Sequence, residues 1–137
     1  MKQGYFITGT DTGVGKTLIS CALLHAFAKS GKSVVGMKPV VAGCEQSQRG
    51  LIYADVEALL AASTVAVPRD LVNPYALREP IAPHIAAQRA GTRLDLAQMA
   101  SAYRKLQQLA ELVIIEGAGG FKVPLTDEED TSAIVSP

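Results

Sequence analysis

At 137 residues the chain is sized for one domain with a real core, and its thirteen acidic residues balance thirteen basic ones. That balance gives no charge basis for gripping a polyanion or a membrane surface, and no apolar run approaches bilayer-spanning length. Cys21 and Cys44 form no C-x-x-C pair, so two reduced thiols in a cytoplasmic protein are expected, with no room for a leader before the first predicted strand.

That strand is the short apolar run Tyr5-Phe6-Ile7. It leads into Thr8-Gly9-Thr10-Asp11-Thr12-Gly13-Val14-Gly15-Lys16-Thr17, which precedes an amphipathic helix pattern. Strand, glycine-rich turn and helix make a phosphate site, because the turn's N–H groups and the helix N-terminus converge on an anion. Glycine is needed where a side chain would hold the backbone off the phosphate or where φ is positive. Lys16 supplies a point charge for the outer phosphates, and the Thr17 hydroxyl can complete the shell of a Mg²⁺ that bridges them. The usual G-x-x-x-x-G-K-[ST] spacing requires glycine where Thr10 stands. The glycine is Gly9, so this loop is one residue longer. Asp11 and Thr12 occupy the region where switch-type ATPases carry a second lysine.

Lys16 to Lys29 reads as the first helix, with Leu18, Ala22, Leu23, Ala26 and Phe27 at helical spacing and Gly31 suited to the position after its cap. Ser33-Val34-Val35-Gly36-Met37 reads as a second, buried strand that ends at Lys38-Pro39. Strand, helix, strand over this length implies a right-handed parallel crossover. Ligands in such sheets sit beyond the carboxyl ends of the strands, which puts Lys38 on the same edge as the phosphate loop. A solvated strand-end lysine is the bland alternative.

Val40 to Gly50 reads as a loop, and Asp55 to Ala62 as a helix. Asp55 has two readings that spacing does not separate, a helix cap or dipole partner and an oxygen ligand near Mg²⁺. Pro68, Asn73-Pro74, Pro80 and Pro83 make the middle irregular, and a fixed loop from Asn73 to His84 beside the site is expected. A short helix follows from His84 and ends before Gly91. Neither His84 nor His25 has a second ligand at metal-site spacing.

Asp95-Leu96-Ala97-Gln98 has the form of a capping box. Leu96, Met99, Ala100, Tyr103, Leu106 and Ala110 then draw an apolar stripe, read as core, along a helix of about four turns. The continuous apolar run Leu112-Val113-Ile114-Ile115-Glu116 reads as a strand covered on both faces. It carries Glu116 to the phosphate edge, and Gly117-Ala118-Gly119-Gly120 lets backbone approach a ligand there. An ordinary strand-end carboxylate followed by a flexible turn is the alternative. Ala133-Ile134-Val135 looks strand-like. With only three firm strands in view, the C-terminal part of the domain is expected to be absent.

The long loop Gly9 to Thr17, together with Lys38-Pro39-Val40, Asp55, Asn73-Pro74-Tyr75, Pro83-His84 and Glu116-Gly117-Ala118-Gly119-Gly120, closely resembles dethiobiotin synthetase over essentially the whole chain. The resemblance implies an α/β fold of P-loop NTPase type, a three-layer, Rossmann-like parallel sheet with helices on both faces, forming one domain over 1–137. It implies a cytoplasmic, homodimeric ligase of biotin synthesis that closes a ureido ring from 7,8-diaminopelargonic acid, CO₂ and MgATP. In that family a substrate amine takes up CO₂ as a carbamate, ATP phosphorylates it, and the second amine attacks the mixed anhydride. Carried over position by position, Lys16 and Lys38 are catalytic. ATP is held by Gly13, Val14, Gly15, Lys16, Thr17, Asp55, Glu116, Gly117, Ala118 and Gly119. Mg²⁺ is held by Thr17, Asp55 and Glu116, and the diamine meets Thr12, Lys38 and Ala42. The family commonly has serine where Ala42 stands, a loss worth about 0.5–1.5 kcal/mol for one hydrogen bond. Another P-loop amide-forming or partition-type ATPase and an inactive nucleotide-binding fragment are the rival readings.

Overall fold

A computed structural model describes residues 2–134. At its centre β1 (Gln3–Ile7), β7 (Leu112–Glu116) and β2 (Val34–Met37) form a parallel sheet in the order β1-β7-β2. The middle place falls to β7 because all five of its residues are apolar or end the strand, and all are buried. Its register pairs Leu112 with both Gln3 and Val34, so β1 and β7 finish together at Ile7 and Glu116, and β2 ends one residue short, at Met37 opposite Ile115.

Period-two alternation then decides what faces what. Leu112, Ile114 and Val34 pack with Leu24 of α1 (Lys16–Lys29) and Leu59 of α2 (Ala54–Ala62). Val113, Ile115, Val35 and Met37 face the opposite layer, with Val72 of α3 (Arg69–Val72) and Leu106 of α5 (Leu96–Leu109). Helices therefore cover both faces of the sheet, as expected. Gly36 lies on the α1/α2 face, where an added Cβ would fall 2.9 Å from Leu59 and 3.1 Å from Leu24, so its bare backbone lets both helices close on the sheet.

Helix α1 has the predicted bounds, and its end is a Schellman turn: Gly31 N–H donates to Ala28 O, Lys32 N–H donates to Phe27 O, and Gly31 takes φ 86°. Its buried face is only partly the predicted one, since Leu23 and Phe27 pack against the core but the other predicted positions do not. Leu18, Ala22 and Ala26 are exposed, whereas Lys16, Ser20 and Leu24 are buried. An apolar count over a helix rich in alanine and leucine does not fix its phase. Here the phase is set by the phosphate loop, which must turn Lys16 inward.

The segment read as a loop from Val40 to Gly50 holds two short strands and the first residue of a third. Strand β3 (Val40–Ala42) pairs in parallel with β6 (Tyr75–Leu77), and β4 (Glu45–Ser47) with β5 (Gly50–Ile52) forms an antiparallel hairpin. Three-residue strands are too short to show alternation, and Glu45-Gln46-Ser47 carries no β-propensity signal. The irregular middle likewise contains α3 and β6. Helix α4 (Pro83–Arg89) starts at Pro83, which takes the first helical position, and gives way to Gly91 at φ 65°.

The capping box at Asp95 is half as expected. Asp95 Oδ1 accepts from Ala97 N–H at 2.8 Å, but Gln98 does not reach back to the Asp95 amide. The Tyr75 hydroxyl stands between them, accepting from Asp95 N–H at 3.1 Å and donating to Gln98 Oε1 at 2.6 Å. The α5 stripe is core at Met99 and Leu106. Ala110 is buried as well and Tyr103 packs against the same core, while half-buried Ala100 and Tyr103 also line a cavity of about 330 Å³ with Met37, Met99 and Ile115. Thr131–Ile134 is a 3₁₀ turn rather than the start of a strand, and Val135 lies outside the described residues.

Candidate phosphate and cation site

Glu116 follows Leu112 and Ile114 at even spacing, and so points toward α1. The same alternation along β2 carries Lys38, two residues past Gly36, to the face where α2 begins. Two strand tips therefore deliver a carboxylate and an ammonium to the N-termini of two helices.

The phosphate loop fits this corner through its glycines. Gly13 and Gly15 take φ 76° and 106°, which side chains rarely tolerate. A Cβ on Gly9 would lie 2.7 Å from Val14 Cγ2 and 3.3 Å from Lys16 Cγ. Lys16 is buried, and its ammonium donates to Asp11 O within the loop. Burial, and then the neighbouring Lys38 charge, hold the Lys16 ammonium below the usual lysine range against the pull of Glu116, Asp55 and Asp11.

Lys38 Nζ lies 2.6 Å from Glu116 Oε1 and 2.8 Å from Asp55 Oδ2. The Thr17 hydroxyl donates to the same Glu116 oxygen at 2.8 Å. The Lys38 and Glu116 side chains are 5% and 1% exposed, whereas Asp55 is 42% exposed and forms the open rim. Asp55 does not cap α2, whose N-cap is Tyr53, but turns to Lys38 from the first helical turn. Partial burial acts to raise its pKa. The hydrogen bond and charge of Lys38, helped by Thr17 and Lys16, outweigh that and hold it below the usual aspartate range.

The backbone of Lys38 is fixed as firmly as its side chain. Its N–H donates to Val72 O at 2.8 Å, and its carbonyl accepts from Asn73 Nδ2 at 2.7 Å. That buried amide also donates to Tyr75 O at 3.1 Å. Asn73 was legible in the sequence only as part of a turn. An Asn-Pro just after a buried valine is consistent with such a brace but does not announce one.

Gly119 and Gly120 lie beside the phosphate loop, a Cβ on Gly120 falling 3.3 Å from Thr10 O and one on Gly119 4.0 Å from Thr12 Oγ1, whereas Gly117 abuts Phe6 and Ile7 at the end of β1. Thr12 is exposed at the loop's outer side. Ala42 sits apart from the polar group, opposite Leu77 in the β3–β6 pair. Cys21 lies one turn after Thr17 on α1, and burial, with Glu116 and Asp55 adding, pushes its thiol pKa up.

Glu116 Oε2 is buried and has no hydrogen-bond partner among the described residues. A buried carboxylate oxygen left open beside a threonine hydroxyl and a second carboxylate is a donor set for a hard cation. No group of three His, Cys, Asp or Glu residues gathers among the described residues, so the set suits Mg²⁺ completed by phosphate oxygens rather than an all-protein zinc site.

A parallel α/β sheet with a glycine-rich loop at its carboxyl edge, a buried lysine in that loop and a carboxylate on the adjoining strand tip defines a P-loop nucleotide-binding domain. Residues 3–136 match a family model described as an AAA domain, and the chain belongs to that family. The chain is also 60% identical over 135 residues to an ATP-dependent dethiobiotin synthetase, BioD, of Nitrosospira multiformis, covering 98% of this chain and 58% of that protein. The BioD proteins of Aromatoleum aromaticum and Marinobacter nauticus are each 46% identical, over 95% and 97% of this chain and 58% and 57% of their own lengths. The chain thus spans a little under three-fifths of the curated relatives it matches. The resemblance read from the motifs and the similarity over the chain agree.

Proposed function

We propose that the protein is an ATP-dependent cyclo-ligase that converts 7,8-diaminopelargonic acid and CO₂ to dethiobiotin, releasing ADP and phosphate. The observation that carries this reading is the Lys38–Glu116–Thr17–Asp55 cluster at the mouth of the phosphate loop. A carbamate oxygen attacking a triphosphate brings two anions together, and this corner sets Lys38 near Lys16 with carboxylates that would hold a metal cation, which supplies the positive charge such an approach needs.

One substrate amine adds to CO₂ and loses a proton, giving a carbamate. A carbamate oxygen then attacks the γ-phosphorus as ADP leaves. The second amine attacks the carbonyl carbon of the resulting anhydride, phosphate departs, and a further proton is lost as the ring closes. Lys16 and the N–H groups of Gly13, Val14 and Gly15 hold the phosphates, while Lys38 steadies the carbamate and the phosphoryl group in transit. Thr17, Asp55 and Glu116 hold Mg²⁺, which when bound neutralises charge on the phosphates. Gly117, Ala118 and Gly119 admit the nucleotide closely, and Thr12, Lys38 and Ala42 face the diamine. Holding the second amine within reach of the anhydride can itself remove several kcal/mol of barrier. Residues 1–137 act as one nucleotide-binding domain, and a homodimer in the cytoplasm is the proposed setting.

Phosphate release from MgATP by the purified protein, with and without diaminopelargonic acid and bicarbonate, tests the reading. Release that depends on the diamine and yields dethiobiotin by mass spectrometry supports it. ATP hydrolysis indifferent to the diamine refutes it.

A further inference from the structure

We infer that the Lys38 ammonium is the resting occupant of the cation seat, so that a divalent cation must displace it from Glu116 and Asp55. The inference rests on the reading that Thr17, Asp55 and Glu116 hold that cation.

Lys38 Nζ contacts one oxygen of each carboxylate, at 2.6 and 2.8 Å. Glu116 Oε1 already accepts from both Lys38 and Thr17. A dication that took the open Glu116 Oε2 and the other Asp55 oxygen would still stand on the same two carboxylates that hold the Lys38 ammonium, and like charges that close repel strongly. Lys16 and Lys38 balance Asp55 and Glu116, two charges against two, so the corner as it stands has no net charge. Glu116 is 1% exposed and cannot be left without a counter-charge. Lys38 therefore leaves when another cation arrives, and not before.

The route is restricted as well. The Lys38 main chain is pinned by Val72 O and by Asn73 Nδ2, so exchange moves the side chain alone. The ammonium is withheld from the phosphates while it serves Glu116, and is released to them by the loading of the cation. An empty site is thereby kept from acting as a phosphoryl-transfer site, and a bare cation is bound less well than one that arrives with a polyanion.

Labelling with a small amine-acylating reagent, read by peptide mass spectrometry without nucleotide, tests the exchange on the unaltered protein. Saturating Mn²⁺ is expected to raise labelling of Lys38 severalfold and to leave that of Lys105, on the outer face of α5, unchanged. In a paramagnetic titration, Lys38→Met is expected to bind Mn²⁺ about tenfold tighter than the parent, through loss of one like-charge neighbour at contact distance. Mn²⁺ bound with Lys38 labelling unchanged overturns the inference, as does a Lys38→Met affinity no tighter than the parent's. So does the absence of Mn²⁺ binding to either protein. Diamine-dependent turnover combined with unchanged labelling would refute the exchange and leave the proposed reaction standing.

Discussion

Removing the Lys38 ammonium should cost the protein stability before it costs any chemistry. In Lys38→Ala, Glu116 keeps its Thr17 hydrogen bond but loses a cation at 2.6 Å, in a place where its side chain is 1% exposed. Breaking a buried pair from one side costs about 3–5 kcal/mol. The Asp55 contact adds little, since a pair whose acid is 42% exposed is worth about 0–1 kcal/mol. Against a typical domain stability of about 5–15 kcal/mol, the variant should be folded but marginal. Urea denaturation at neutral pH measures the loss. The same substitution in a Glu116→Gln background should cost about half as much, because a neutral amide has no counter-charge to lose. Equal losses in the two backgrounds, or a loss below about 1 kcal/mol in both, would show that Lys38 is not what neutralises Glu116.

Three further outcomes follow from the packing. Gly4→Ala would put a Cβ 2.0 Å from Tyr103 Oη, a clash expected to cost about 1–3 kcal/mol by thermal melt and to be largely relieved by adding Tyr103→Phe. Asn73→Ala removes a buried donor from two carbonyls, Lys38 O and Tyr75 O; a loss of about 1–3 kcal/mol and reduced turnover are expected, whereas unchanged turnover would show that the brace does not position Lys38. The pKa of Asp55 lies below its usual 3.8, so its contribution is intact above that value and lost as pH falls through the folded one. Comparing Asp55→Asn with the parent in urea between about pH 5 and pH 2 should show the gap closing at the acid end.

The main sheet and the polar corner at its carboxyl edge were readable because both are written in contiguous runs. Leu112 to Glu116 states a buried strand and its terminal carboxylate in five letters, and the glycines before Lys16 state a loop that only they can fill. The two short sheets were not readable, since β3 and β6 are three residues each and owe their pairing to partners more than thirty positions away. The face of α1 was only partly legible, at Leu23 and Phe27, for a related reason. Leu18 is hydrophobic but 74% exposed, while Lys16 and Ser20 are buried, because the loop and not the apolar count sets the helix's rotation. Tyr75 could not have been placed in the Asp95 cap, twenty residues distant, from any local pattern. What travelled well from sequence was the gathering of Thr17, Lys38, Asp55 and Glu116 at one sheet edge. What travelled badly was everything that depends on which distant neighbour arrives first.

Pro39 has no N–H to offer, so the ladder between β2 and β7 stops at Met37 and the chain changes partners, meeting β6 from Val40 onward. Lys38 sits on that seam, tied at its amide to one neighbour and at its carbonyl to another. The seam between the two sheets therefore falls at the residue whose ammonium meets Glu116 and Asp55, and the join between layers and the polar corner share one backbone position.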